Sequence, residues 1–200
     1  DQQLEHAHTT IGWTMWDGDP QKLVAGGYYA IENDITLSDT IVLGSADQTP
    51  QKPVELYLCL NGRTVTAPAA KQVFQIYSGY TLNICDCSEG KTGQIKGNGK
   101  VTGTGGLIAI SKGGSLVLYG GTLTGGQATN NGGNIAVTAD ARFTLYGGKV
   151  INGVTTNLGG NVSVSAGAVF TMLGGEISGG TAKTSGKNSN NIIMAAAGTM

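Results

Sequence analysis

Apolar and polar residues alternate in short runs along most of this chain, and glycine pairs cut the runs apart. In the clearest stretch, Ile108, Ile110, Leu116, Leu118 and Leu123 are separated by Ala109, Val117 and Thr122. The same arrangement returns at Ile135, Val137, Phe143, Leu145 and Val150, and again at Val162, Val164, Phe170, Met172 and Ile177. Each return comes 27 residues after the last, as at Leu118, Leu145 and Met172. A final copy, Ile192 and Met194, arrives three residues late, after a polar insert at 183–190. A period of two places alternate side chains on opposite faces of a strand, and no 3.6-residue spacing survives between the glycines. One repeat holds three strand-like pieces, at 134–138, 142–146 and 149–151. Three short strands per turn, each beside its copy one turn away, describe an all-β, right-handed parallel β-helix of about 27 residues per coil. The named columns should face inward. Ala109, Ala136 and Ser163, with Val117, Thr144 and Thr171, should face outward. A slip of one residue would exchange the faces, so the register is strongly specified. A single coil cannot bury its own apolar face, so several must stack.

The first half repeats less regularly. Residues 33–43, 56–66 and 74–84 alternate, and 88–106 reads as a longer loop with one strand near Ile95. Residues 1–25 carry Trp13 and Trp16 without alternation and are expected to cap the first coil, leaving 26–200 as the β-helix. The glycine pairs suit sharp corners where φ turns positive. Asp1 is not a translation start, and Met200 falls where the preceding coil has Phe170, so the parent protein is expected to extend in both directions.

Composition narrows the function. Charged residues are only 12% and the net charge is -1, so nothing favours nucleic acid or an anionic membrane surface. No run of 18 apolar residues exists, so no spanning helix and no membrane insertion is expected. Glycine is abundant at 34 residues but lacks a triplet period, which excludes collagen.

The segments Gly27-Tyr-Tyr-Ala30, Leu58-Cys-Leu-Asn-Gly-Arg-Thr-Val65, Thr81-Leu-Asn-Ile-Cys-Asp-Cys87 and Phe170-Thr-Met-Leu-Gly-Gly-Glu-Ile-Ser-Gly179 resemble a family of large secreted repeat proteins of Gram-positive gut anaerobes. That resemblance spans roughly residues 12–200. It implies an extracellular, cell-wall-associated, adhesin-like β-helix that binds a host protein, immunoglobulin among them, or a glycan. It supplies no binding motif to carry over, and this chain has no wall-sorting signal.

Candidate chemistry is sparse. Lyases on β-helices need clustered carboxylates at the coil period, holding Ca²⁺ beside a base. Here Glu176 is replaced by Lys149 and Thr122 in earlier coils, Asp140 by Gly167, and Asp34, Asp39, Asp47 and Asp86 fall in separate coils. These acids read as solvated surface, and no catalytic residue, cofactor or metal is expected. Cys59 and Cys85 lie nearly one coil apart in equivalent strands, within disulfide reach, and Cys87 shares the face of Cys85. A three-thiolate site lacks a nearby histidine to complete it, and His6 and His8 read as a terminal segment. Asn134, Asn161 and Asn191 form one corner column and should hydrogen-bond as an amide ladder. Tyr119, Tyr146 and Leu173 form an outward column that could serve as a contact strip. The reading is a monomeric, non-catalytic binding module on the bacterial surface. An immunoglobulin-binding protein, a polysaccharide-cleaving enzyme and a structural stalk stand as alternatives.

Overall fold

The computed structural model describes residues 12–23, 26–183 and 190–195. Within them the chain winds as a parallel β-solenoid of about six turns, and every strand pairs in parallel with its counterpart one turn away. Sheet 1 stacks Ile41–Leu43, Phe74–Ile76, Ile108–Ile110, Ile135–Val137, Val162–Val164 and Ile192–Met194. Sheet 2 stacks Thr14–Trp16, Tyr28–Ile31, Val54–Cys59, Tyr80–Cys85, Ser115–Leu118, Arg142–Leu145 and Val169–Met172. Sheet 3 stacks Ile35–Thr36, Thr64–Thr66, Gln94–Lys96, Thr122–Thr124, Lys149–Ile151 and Glu176–Ser178.

These three sheets are the three strands per coil expected from the repeat. A fourth, two residues deep, joins them from Lys100–Val101 onward and continues through Gln127–Ala128, Val154–Thr155 and Thr181–Ala182. Two-residue strands are too short to leave a period-two pattern, so sequence alternation passes over them.

The inward columns are those of the repeat. Ile108 pairs with Ile135, Ile135 with Val162, and Val162 with Ile192 across the late insert. Leu116, Phe143 and Phe170 are register partners, and the rings of Phe143 and Phe170 stack at 5.2 Å. Leu123, Val150 and Ile177 line the third side. The main apolar core runs up the axis from Trp16 to Val164. The outward Ala109, Ala136 and Ser163 are nevertheless buried. Side chains this small rise little above the backbone of the neighbouring rungs.

Residues 12–23 depart from the expectation of a cap without strands. Thr14–Trp16 is a further rung of sheet 2, paired with Tyr29–Ile31. The 3₁₀ turn Pro20–Lys22 follows, with Asp19 as its cap: the Asp19 carboxylate accepts the Gln21 N–H at 2.9 Å. Trp16 is buried in the core and its indole N–H donates to the Asp19 carbonyl at 2.8 Å. No helix among the described residues is long and apolar enough to cross a membrane.

Candidate functional site

The outer face of sheet 2 carries two stacked tyrosine pairs with Trp13 beside one of them, and the thiols of Cys59 and Cys85 with Cys87 packed against them. Strand alternation explains why. Leu58, Ile84, Leu118 and Leu145 point into the core, so the next residue in each coil points out. Those residues are Cys59, Cys85, Tyr119 and Tyr146, and Leu173 continues the column through a backbone bond to Leu145. The expected strip of Tyr119, Tyr146 and Leu173 is therefore one outward column, and it begins with the cysteines.

The rings of Tyr119 and Tyr146 stack at 5.0 Å with an interplanar angle of 3°. Tyr146 is 41% exposed and Leu173 65%, while Tyr119 is half-buried. A second stack, Tyr28 on Tyr57 at 4.5 Å, lies two residues back along the strands, with Trp13 edge-on to Tyr28 at 5.5 Å. Burial holds the Tyr119 phenol above its ordinary range. Tyr57 is raised too, by burial first and by its hydrogen bond to the Glu55 carboxylate second.

Beside the Tyr119–Tyr146 stack, where sheet 2 turns toward sheet 3, lies a trough of about 320 Å³. Its walls are Tyr119, Tyr146, Lys91 and Lys149, and Gly120, Gly121 and Gly148 form its floor. The glycines have two causes. Gly121 and Gly148 sit at φ +87° and +77°, where other residues are strained. At Gly147 a Cβ would lie 2.5 Å from the Tyr119 carbonyl oxygen. At Gly121 a Cβ would lie 2.5 Å from the Leu60 side chain, and at Gly148 2.4 Å from the Gly121 carbonyl oxygen, so neither position has room for a side chain. Lys91 is positioned by donation to the Asp86 carbonyl at 3.1 Å, and Lys149 by its 3.3 Å ion pair with Glu176.

At the N-terminal end of the column, Ala30, Cys59 and Cys85 form a small apolar cluster of their own, packed against Trp13, Cys87 and Tyr119. Cys59 and Cys85 are register partners, as their spacing suggests, and all three cysteines are thiols in this structure. The turn after Cys85 folds Cys87 back over the pair. Its sulfur lies 3.5 Å from the Cys85 sulfur, and its backbone N–H donates to the Cys59 sulfur at 3.2 Å. The three Sγ atoms all lie within 4.8 Å of one another. Hydrogen bonds from the Cys85 and Cys87 thiols hold the Cys59 thiol well below its ordinary range. Cys85 is pushed up, first by its bond to Cys59, and Cys87 is pushed up to about 12 for the same first reason.

Asp86 makes that turn, and here the expectation of a solvated acid is corrected. Asp86 is 2% exposed. Its carboxylate accepts backbone N–H groups from Gly93 at 2.6 Å, Gly62 at 2.8 Å and Ser88 at 3.2 Å. Three such donors offset the cost of desolvating the charge. The remaining acids named above that the structure describes are dispersed. Glu176 pairs with Lys149, and Asp140 lies 3.7 Å from Lys112. Among the described residues, the cysteines are the one group of three or more His, Cys, Asp or Glu close enough to share an ion.

Asn134, Asn161 and Asn191 form the expected ladder. Asn134 donates to Asn161 at 2.8 Å and Asn161 to Asn191 at 3.0 Å. Each Oδ1 also accepts a glycine N–H, from Gly126, Gly153 and Gly180 in turn. The corner is fully bonded, which fits a structural role. His6 and His8 lie outside the described residues. The sequence missed the trough and the folding of Cys87 onto the cysteine pair, because both depend on the 86–93 turn. No family model, curated protein or solved structure matches this chain.

Proposed function

We propose that this protein is a non-catalytic binding module of the bacterial cell surface that takes a glycan chain of the host on the outer face of sheet 2. The observation that carries this reading is the stacked Tyr119–Tyr146 pair forming one wall of an open, glycine-floored trough. A trough near 320 Å³ is at the lower end of small-ligand pockets, the size of one or two sugar rings. Tyrosine rings supply apolar contact and hydroxyls at low cost in lost side-chain freedom, while lysines and glycine backbone offer polar contacts around the rim. The long sheet 2 face lets further units of a polymer lie along the strip toward Leu173. The likeness of the repeats to secreted gut-bacterial proteins supports the surface location and the host as source of the ligand.

A host protein such as immunoglobulin is the second reading, and the large exposure of Leu173 beside Tyr146 favours it. One experiment separates the two. The described chain is applied to a glycan array and to immobilised immunoglobulin, each with wild type and Tyr146→Ala. Glycan binding weakened about tenfold or more by Tyr146→Ala supports the proposal, because a central aromatic anchor carries at least that much. Binding to immunoglobulin alone moves the assignment to the second reading. Silence on both surfaces at high protein concentration, or glycan binding indifferent to Tyr146→Ala, sinks the proposed site.

A further inference from the structure

The three cysteines have a geometry that disulfide pairing does not need and that a metal would use. A disulfide requires only Cys59 and Cys85, whose strands already lie at the parallel spacing of about 4.8 Å. The fold adds a third sulfur. Asp86, anchored by three backbone N–H groups, turns the chain so that Cys87 faces back over the pair. A Zn–S bond of about 2.3 Å puts sulfurs about 3.8–4.0 Å apart in a tetrahedral or trigonal site. The observed triad brackets that separation, with Cys85 and Cys87 at 3.5 Å and all pairs within 4.8 Å.

We infer that Cys59, Cys85 and Cys87 form a three-sulfur site for a soft d¹⁰ metal ion, with Zn²⁺ as the resident. Sulfur-only donors select soft ions, and hard ions such as Ca²⁺ or Mg²⁺ find no oxygen ligand here. Asp86 does not compete for the metal, because its carboxylate is committed to the N–H groups of Gly62, Ser88 and Gly93. The Cys87 N–H that points at the Cys59 sulfur is the kind of second-layer hydrogen bond that orients a thiolate ligand. Trp13 and Tyr119 pack against the cluster and limit water on that side. Cys85 also lines the trough, so a fourth coordination position, filled by water, is reached from there. On binding, the three thiols lose their protons to solvent and the ion gains three sulfur bonds, with no change of oxidation state.

The test uses the whole chain, reduced and kept free of oxygen, titrated with Cd²⁺ alone. The ultraviolet thiolate-to-cadmium charge-transfer band should grow and saturate at one ion per chain. Zn²⁺ added to the metal-free chain should bind at the same one ion per chain, protect all three thiols from a thiol-counting reagent, and be displaced by Cd²⁺, which binds sulfur more tightly. Cys87→Ser, at a half-exposed turn position, should keep the β-sheet circular dichroism and lower the affinity by at least about tenfold. Cys59→Ser and Cys85→Ser should reduce the band further. No band from a chain with three countable thiols overturns the inference. So does a band unchanged by Cys87→Ser, or a Cys59–Cys85 disulfide that resists reductant in the folded protein.

Discussion

Two kinds of glycine hold the corners, and they fail in different ways. In the pairs Gly105–Gly106, Gly132–Gly133 and Gly159–Gly160, the first member has φ near +70°. The second has an ordinary φ but no room. A Cβ on Gly133 would lie 2.0 Å from the Gly160 carbonyl oxygen, and one on Gly160 equally close to the Asn190 carbonyl oxygen. Backbone meets backbone there, so nothing flexible can give way. Gly133→Ala should therefore destabilise the fold by about 3 kcal/mol, at the upper end for overpacking. Gly90→Ala, whose Cβ would find an ordinary contact at 3.4 Å with Thr92, should change stability by less than about 0.5 kcal/mol. Denaturant midpoints of the two variants check this. Equal midpoints would mean that rungs can separate at the corner. Positive φ was the expected reason for these glycines, and it explains only half of them. The closeness of the next rung's carbonyl is a contact between residues 27 apart that no local pattern contains.

At the scale of the element, the asparagine column joins three coils through one corner. Asn161 is buried and makes four bonds at once. It accepts from Gly153 and from Asn134, and donates to Ser178 and to Asn191. Removing it leaves the Gly153 N–H without its partner, while the Ser178 carbonyl loses one donor and keeps the Asn152 N–H at 3.1 Å. Asn161→Ala should cost about 2 kcal/mol, since a buried group left unsatisfied costs about 1–3 kcal/mol. Calorimetric or denaturant unfolding measures it, and a loss under about 1 kcal/mol would mean that water fills the gap. This ladder was legible, because a fixed step and a corner position place like amides above one another. The cysteine site was half legible. Equivalent strands predict Cys59 beside Cys85, but Cys87 reaches them only through the Asp86 turn. The sequence shows an aspartate in that turn. It does not show three N–H groups, from Gly62, Ser88 and Gly93, converging on it from positions up to 24 residues away.

The whole molecule behaves as a stack in which each turn rests on its two neighbours. Strand partners 27 residues apart make length quantised. Deleting residues 133–159 joins Gly132 to Gly160 and removes one full coil with its register intact. That variant should keep its β-sheet circular dichroism and unfold cooperatively, with a lower denaturant m-value from the smaller buried surface. Deleting 133–158 instead leaves one residue too many, which the sheet 1 strand of the following coil must accommodate against face reversal. It should unfold at a clearly lower denaturant concentration than the 27-residue deletion. Equal stability of the two would show that the corners absorb register errors.

The sequence alone determined the solenoid, its 27-residue rise and which side chains face inward. Those depend on alternation and on a repeat, both written in the order of residues. The tertiary structure alone decided the fourth sheet, the burial of Asp86, the trough beside Tyr119 and Tyr146, and the closing of Cys87 onto Cys59 and Cys85. Each of these arises where a turn of one coil meets the backbone of another, and such meetings depend on φ and ψ at corners that side-chain periodicity does not encode.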